Sequence, residues 1–148
     1  LKKILAEHES KFDYIIIDCP PSLNILTVNA LTAATGVLIP VQCEFFALQG
    51  LSELMTTIDT IKSSSNENLV IKGIIRTMFD PRNNLATDVS AQLIKFFTDK
   101  LYRTMIPRNI TLAEAPSHGL PVIKYDKSSK GALSYLSLVG EILKQEKL

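Results

Sequence analysis

The sequence has no tryptophan, and its 148 residues include only two cysteines, two histidines and six glycines. The cysteines, Cys19 and Cys43, cannot build the disulfide framework of a small secreted domain, and they lack the paired spacing of a zinc site. They favour a reduced, cytoplasmic chain. The charge is nearly balanced, with 16 basic and 15 acidic residues. Any surface for nucleic acid must therefore be a local patch and not a property of the whole chain.

Long apolar runs are missing as well. No run approaches the roughly 18 residues that a membrane-spanning helix needs, and the opening residues Leu-Lys-Lys-Ile-Leu lack the apolar stretch of a signal peptide. Because the chain begins with Leu1 and not with Met, we expect it to be a piece of a longer protein. Its length, with 46% hydrophobic and 21% charged residues, fits one globular domain over residues 1–148.

Short runs of β-branched and aromatic residues alternate with longer segments in which apolar residues recur every three or four positions. The first pattern predicts buried strands, and the second predicts amphipathic helices. Strands are predicted at residues 12–17, 37–41, 69–79 and 101–106, with a possible edge strand at 120–124, and helices at 23–34, 46–63, 85–99 and 129–144. In the helix at 46–63 one apolar stripe is predicted, formed by Leu48, Leu51, Met55, Ile58 and Ile61. In the last helix the residues expected to face the core are Leu133, Leu136, Val139 and Leu143. This order predicts a mostly parallel sheet covered by helices.

Residues that follow each predicted strand are the first candidates for function, because ligands in such sheets bind outside the carboxyl ends of the strands. These residues are 18–22, 42–44, 77–82 and 107–109. Asp18 directly follows an apolar strand, as does the Walker B carboxylate that holds Mg²⁺ beside nucleotide phosphates, often through water. The alternative is that Asp18 caps the next helix. No phosphate-binding loop of the form G-x-x-x-x-G-K-[ST] occurs, so in a nucleotide-binding fold we expect that loop to precede Leu1.

Other catalytic chemistries have little support in the sequence. Ser22, His118 and Asp126 could be combined into a hydrolytic triad, but no G-x-S-x-G turn presents the serine. Cys19 and Cys43 follow neighbouring predicted strands and are expected to be buried thiols, not nucleophiles. Neither acyl transfer nor zinc chemistry is therefore favoured.

Four groups of residues resemble the ParA/Soj family of deviant-Walker partition ATPases, and they occur in the family's order. They are FDYIIIDCPPS at 12–22, IPVQCEFFALQG at 39–50, IPRN with LAEAPSHG at 106–109 and 112–119, and YD with KGA at 125–126 and 130–132. Together the matches run over residues 11–143, nearly the whole chain. The resemblance implies a P-loop three-layer α/β/α sandwich whose first strand and phosphate loop lie outside this sequence.

Resemblance to this family also implies roles for individual residues. Asp18 would be the Walker B and switch II carboxylate, with Mg²⁺ held through water, and Pro107 and Asn109 would border the adenine of ATP. The implied cycle is formation of a homodimer around MgATP, binding of that dimer to double-stranded DNA without sequence preference, and hydrolysis stimulated by a ParB/Spo0J-type partner. The implied location is the cytoplasm, on the nucleoid, and the implied role is segregation of chromosomes or plasmids.

Arg82 is the leading candidate for contact with DNA phosphates. Its neighbours Asn83 and Asn84 predict a turn from which the guanidinium can project toward a phosphate, and the family places a DNA-contacting basic residue in this neighbourhood. Many relatives carry a basic residue where this chain has Thr111, which cannot contribute charge. Further basic candidates are Lys95, Lys100, Arg103, Lys124, Lys127 and Lys130.

Three other functions remain open, one of which is that this chain alone is a bare interaction module. A MinD-like membrane-associated ATPase would carry a basic amphipathic C-terminal helix, whereas the last helix here is followed by no apolar tail. A metabolic P-loop enzyme, such as an amide ligase, would need a dedicated polar substrate pocket, which no pattern in the sequence indicates. Whether this chain alone is an active ATPase also stays open. Without the loop amides and lysine that bind phosphate, we expect it to bind MgATP weakly or not at all.

Overall fold

The computed structural model describes residues 1–20, 22 and 24–146, which divide into two compact units. The first unit comprises Leu1–Leu38 and Gln49–Lys72, and the second comprises Ile39–Leu48 and Gly73–Leu148. The single domain over residues 1–148 stays a prediction. The double-proline turn, the start of the predicted second helix and the C-terminal end include residues outside the described ones, namely Pro21, Leu23, Lys147 and Leu148.

Helices dominate the first unit. Helix α1 spans Lys2–Ala6, α2 spans Ile25–Ala33, and α3 spans Ala47–Ser64, of which all but the first two residues belong to this unit. The predicted apolar stripe of α3 is confirmed, because Leu51, Ile58 and Ile61 are buried. Spacings of seven and three residues place them on one face of the helix.

A buried asparagine fixes the end of α2 in the first unit. The side-chain amide of Asn66 donates hydrogen bonds to the carbonyl oxygens of Leu31 and Ala34, over 2.9 and 2.7 Å. The last carbonyls of a helix have no partner within the helix and need such a donor. The loop that follows α3 is therefore fastened to the C-terminal end of α2.

The sheet contains strands β1 (Gly36–Gln42), β2 (Val70–Phe79) and β3 (Leu101–Pro107), in the order β1-β2-β3. Its strands are parallel, as predicted, and in the pairing of β2 with β3 Ile74 lies opposite Leu101. The register shifts twice along this pair, before and after Arg76. Such shifts mark bulges, which bend a strand locally and change where its side chains point.

Two helices cover opposite faces of the sheet in the second unit. Successive residues of a strand point to opposite faces. Ile75 packs in a cluster with Leu138 of helix α7 (Lys130–Glu146), whereas its neighbour Arg76 donates a hydrogen bond to Ser90 of helix α4 (Asn84–Phe97). The sheet therefore lies between α4 and α7, and the predicted helix–sheet–helix layering is confirmed for this unit.

Close packing at β2 depends on a glycine. A Cβ atom added to Gly73 would lie 2.2 Å from a ring carbon of Tyr102, a fully buried residue of β3. No larger residue fits there unless the Tyr102 ring moves. Leu112 and Ile142 complete this side of the core, against a cluster formed by Ile75, Tyr102, Ile106 and Leu138.

Residues 12–17 do not form the buried strand that their sequence predicts. They have no regular secondary structure, and Ile16 is 90% exposed. A strand needs a neighbouring strand to bond its backbone N–H and C=O groups, and among the described residues the sheet consists of β1, β2 and β3 without this segment. The prediction is wrong here because an apolar run alone does not supply a pairing partner. Cys19, predicted to be buried, is also exposed, whereas Cys43 is buried as predicted.

Two predictions near the C-terminus are also wrong. The apolar residues expected on the inner face of α7 (Leu133, Leu136, Val139 and Leu143) are exposed, and the buried face instead carries Ala132 and Leu138. Residues 120–124 do not form an edge strand, because Val122–Tyr125 is a short helix, α6. The carbonyl of Pro121 accepts hydrogen bonds from Lys124 and Tyr125, and proline is well tolerated at a helix start.

Candidate functional site

Asp18, the predicted magnesium ligand, lies exposed in the first unit before α2. Among the described residues its carboxylate has no hydrogen-bond or ion-pair partner. The cap of α2 is a different residue, Asn24, whose side-chain oxygen accepts hydrogen bonds from the backbone of Leu26 and Thr27 over 3.0 and 3.3 Å. Because Asn24 already fills the capping role, the alternative that Asp18 caps this helix is wrong.

In the second unit, polar side chains meet where the strands end. Glu44 lies just beyond β1, Asp80 directly follows β2, and Arg108 directly follows β3. Arg108 connects the three ends: its backbone N–H donates to the carbonyl of Phe79 over 3.1 Å, and its guanidinium lies 4.0 Å from the carboxylate of Glu44. This edge is where parallel sheets bind their ligands.

The backbone is strained at the end of β2. Met78 has a φ of 50°, in the left-handed region that only glycine visits at little cost. It lies in the second register shift of the β2–β3 pair, between Arg76 and Phe79. Non-glycine residues in this conformation occur often at binding sites, where the surrounding structure holds them. Here the strained residue comes directly before Phe79, the last residue of β2.

Pro107 and Asn109, predicted to border adenine, lie beside this edge. Pro107 is the last residue of β3, and Asn109 is the N-cap residue of the short helix α5 (Ile110–Glu114). An asparagine at an N-cap normally accepts a hydrogen bond from the first turn of the helix, but the side chain of Asn109 makes no such bond. Its oxygen Oδ1 is buried and has no hydrogen-bond partner among the described residues. Asn109 therefore presents an unused acceptor next to the strand ends.

Arg82, predicted to contact DNA, projects outward with 88% of its side chain exposed. Its guanidinium is nevertheless paired. Nε donates to Oδ1 of Asp80 over 2.9 Å, and Nη2 donates to Oδ2 over 2.8 Å. These hydrogen bonds lower the pKa of Asp80 to about 2, so the carboxylate is ionised throughout the neutral range. Any anion that binds Arg82 does so beside this carboxylate.

The structure thus places Arg82, Pro107 and Asn109 at the ends of neighbouring strands of the second unit, while Asp18 belongs to the first unit. Three further residues of this edge, Glu44, Asp80 and Arg108, had no role in the sequence prediction. A signal for them existed, because all three lie in the strand-end segments 42–44, 77–82 and 107–109. Their residue types alone did not separate them from ordinary surface charges.

Neither a cluster of metal-ligating side chains nor a membrane-spanning helix occurs in the part of the chain that the structure describes. It contains no group of three or more His, Cys, Asp or Glu side chains that could hold a metal ion. None of its helices combines the length and the apolar composition needed to span a bilayer.

Comparison with known proteins shows close relatives over nearly the whole chain. Residues 1–71 match the family model described as an AAA domain. The chain is 52% identical to the sporulation initiation inhibitor protein Soj of Bacillus subtilis, over 96% of this chain and 56% of that protein. It is also 52% identical to the chromosome-partitioning ATPase Soj of Treponema pallidum, over 99% of this chain and 58% of that protein.

The chain belongs to the ParA/Soj family. It spans a little more than half the length of the curated relatives it matches. Among solved structures, cobyrinic acid a,c-diamide synthase from Mycobacterium smegmatis, with bound ATP analogue and magnesium, is 32% identical with a TM-score of 0.78, over 99% of this chain and 52% of that one. The predicted α/β sandwich of a P-loop ATPase is therefore confirmed.

Proposed function

We propose that this chain functions in an ATPase of the ParA/Soj type that segregates chromosomes or plasmids. The observation that carries the proposal is the 52% identity, over 96% and 99% of this chain, to two proteins named Soj. The proposed cycle is homodimer formation around MgATP, binding of the dimer to double-stranded DNA, and hydrolysis stimulated by a ParB-type partner. Its proposed place is the cytoplasm, on the nucleoid.

The residues of this chain fit a nucleotide with magnesium. Mg²⁺ keeps several waters and uses one or two carboxylates together with substrate phosphates, and Asp18 offers one exposed carboxylate that no described residue occupies. Bound magnesium would neutralise the charge that develops on the phosphates. We assign to Asp18 the role of holding that ion, through water, at the phosphate side.

Adenine would be held by the other candidate residues. The exocyclic amino group of adenine is a hydrogen-bond donor, and Oδ1 of Asn109 is a buried acceptor whose hydrogen bond is unmade. A buried acceptor without a partner is costly, so a donor that reaches it gains more than it would at an exposed group. Pro107, with its fixed φ, keeps the neighbouring backbone in one conformation. Asn109 would therefore favour adenine over guanine, which has a carbonyl at that position.

Double-stranded DNA would be bound through phosphates. The charge of the whole chain is only +1, so binding depends on local residues, of which Arg82 is the most exposed at the strand ends. A contact to phosphate does not discriminate between sequences. Duplexes of different sequence should therefore bind alike.

The test measures ATP turnover and duplex binding of the protein at its natural length. Turnover should rise when both duplex DNA and a ParB-type partner are added, and duplex binding should require ATP. Turnover that responds to anionic vesicles, with co-sedimentation of the protein, would instead support a MinD-like function.

Likeness to a diamide synthase makes amide formation a second candidate. Release of ADP coupled to amidation of a carboxylate, without any response to DNA, would support it.

A further inference from the structure

We infer that Asp80 is a positioning residue, which holds Arg82 in the orientation that contacts a DNA phosphate. The inference rests on the DNA binding proposed above. Its basis is the pairing of these two side chains through two parallel hydrogen bonds of 2.9 and 2.8 Å. Nothing in the family resemblance assigns a role to Asp80.

The geometry of the pair leaves one edge of the guanidinium available. A guanidinium has five N–H donors. Asp80 takes one on Nε and one on Nη2, so both donors on Nη1 and the second on Nη2 remain. No other described residue accepts from them. This remaining edge has the fork geometry that binds phosphate through two hydrogen bonds, and with the side chain 88% exposed it faces solvent.

Asp80 is itself well anchored, which makes it a suitable support. It directly follows β2, and its carbonyl accepts a hydrogen bond from Asn83, the cap of helix α4. Oδ1 of Asp80 also accepts from the backbone N–H of Arg82 over 3.0 Å. The side chain that holds the guanidinium is thus fixed at both ends of its turn, and only 24% of it is exposed. The guanidinium of Arg82, by contrast, is restricted by no other hydrogen bond or ion pair with the described residues.

Two effects of Asp80 on phosphate binding oppose each other. Its negative charge repels a phosphate, but this repulsion acts at an exposed site where water and salt screen it. Its hydrogen bonds restrict a long side chain before binding, which removes part of the entropy that binding would otherwise lose. For one long side chain this restriction corresponds to roughly a three- to tenfold gain in affinity. We expect the restriction to outweigh the screened repulsion.

The variant Asp80→Asn tests the two hydrogen bonds to the guanidinium of Arg82 separately from the turn that contains both residues. Asp80→Asn keeps an Oδ1 acceptor for the N–H of Arg82, so the turn should persist, but its amide group cannot accept the second hydrogen bond from Nη2. Asp80→Ser also keeps an acceptor for the turn and removes the fork, and it serves if the first variant folds poorly. Asp88→Asn is the matched control, because it removes one acidic charge from the exposed surface of α4.

The experiment measures binding of ATP-loaded, natural-length protein to one duplex over a range of salt concentrations. Arg82→Ala should weaken binding and flatten the log–log salt dependence by about one unit for each phosphate that is no longer neutralised. Asp80→Asn should weaken binding roughly three- to tenfold, without changing the melting temperature. In the Arg82→Ala background, Asp80→Asn should have no further effect. Asp88→Asn should bind like the parent protein.

Each possible result decides the matter. If Asp80→Asn binds as tightly as the parent protein or more tightly, while Arg82→Ala binds more weakly, Asp80 is a competing counterion. The inference is then overturned, and the proposed DNA contact of Arg82 stands. If Arg82→Ala binds like the parent protein, the proposed DNA contact fails and the inference fails with it. If Asp80→Asn weakens binding equally with and without Arg82, its effect does not pass through Arg82, which also overturns the inference.

Discussion

Glu141 of α7 accepts a hydrogen bond from the backbone N–H of Arg103 in β3 over 2.8 Å. Its second oxygen accepts from the next N–H, that of Thr104, over 3.0 Å. Among the described residues, β3 is an outer strand of the order β1-β2-β3, next to β2. Unpaired groups along an edge strand invite pairing with another chain. The carboxylate of Glu141 therefore occupies backbone donors of this outer strand.

Replacing this carboxylate should lower stability in a pH-dependent way. Partial burial raises the pKa of Glu141, but hydrogen bonds from the backbone of Thr104 and Arg103 outweigh it, and the net pKa lies below the ordinary 4.5. A group whose pKa is lowered by folding stabilises fully above its unfolded pKa and loses this contribution as the pH falls through the folded value. Glu141→Gln should therefore be less stable than the parent protein at pH 7, and the gap should close below pH 4.5.

Urea unfolding at several pH values measures this difference. Hydrogen bonds to charged groups contribute about 1.5–3 kcal/mol, and we expect a loss at the lower end of that range for Glu141→Gln at neutral pH. The control is Glu67→Gln, an exposed glutamate in the first unit. A gap for Glu141→Gln that stays the same from neutral pH down to well below the folded pKa would contradict the assignment to the carboxylate charge.

Asp18 and Asn24 should separate activity from stability. Asn24 caps α2 through two hydrogen bonds, and Asp18 has no partner among the described residues. Asn24→Ala should therefore lower the stability by about 1 kcal/mol and leave ATP turnover largely intact. Asp18→Ala should do the reverse, because its carboxylate would act on magnesium. Thermal unfolding and turnover on both variants provide the comparison, and normal turnover in Asp18→Ala would refute the magnesium role.

Secondary structure could be predicted from the sequence where the residues that stabilise an element lie close together in the chain. Helix α3 is confirmed, because its stripe of Leu51, Ile58 and Ile61 has one consistent buried side. For α7 the spacing predicted a helix but selected the wrong face. Its apolar residues are numerous enough to form more than one stripe, and contacts with distant residues such as Ile75 decide which stripe is buried. The strand predicted at residues 12–17 is wrong for the same reason, since the pairing of a strand depends on residues distant in the chain.

The strand-end segments could be selected from the sequence, but the contacts within them could not. Parallel strands end at one edge, so the segments after β1, β2 and β3 could be selected before any contact was known. The sequence pattern could not show which side chains form hydrogen bonds with each other. Arg82 was expected to project freely, yet Asp80 two residues earlier holds it. Such local hydrogen bonds depend on the turn geometry, in which the N–H of Asn83 donates to the carbonyl of Asp80.

Asn109 should affect nucleotide choice more than stability. Its side chain does not cap α5, so Asn109→Ala removes no capping hydrogen bond. It should weaken ATP binding by about 1–2 kcal/mol, the range of a buried hydrogen bond that is removed, and reduce the preference for ATP over GTP. Asn83 provides the matched control, because its side chain does cap α4 by accepting from Leu85 over 3.0 Å. Asn83→Ala should lower the stability by about 1 kcal/mol without altering the preference.

Calorimetric titration with ATP and GTP, together with thermal unfolding, compares the two asparagines. An Asn109→Ala protein that melts several degrees lower and keeps its preference for ATP would show that Asn109 serves the fold. The titration uses protein at its natural length, since the chain of 148 residues by itself is expected to bind MgATP weakly.

The last prediction concerns the buried guanidinium of Arg76. Arg76 is only 6% exposed, and it donates hydrogen bonds to Ser90 Oγ over 3.0 Å and to the carbonyls of Tyr102 and Arg103. Its Nε has no partner in the described structure. Burial lowers the pKa of this arginine, and the nearby Cys43 and Glu141 oppose that effect. The charge is thus retained in the core at an energetic cost that its hydrogen bonds must offset.

Removing only Ser90 from the Arg76–Ser90 hydrogen bond should therefore destabilise the protein more than removing both residues. Ser90→Ala leaves a second buried N–H donor group without an acceptor and should destabilise the protein by about 1–3 kcal/mol. Arg76→Met replaces the charge with an apolar side chain of similar length, and such replacements of buried charges are often neutral or stabilising. Combining the two should give a protein more stable than Ser90→Ala alone. Urea unfolding of the three variants tests this order, and a double variant less stable than Ser90→Ala would mean that the hydrogen bonds of Arg76 outweigh the cost of burying its charge.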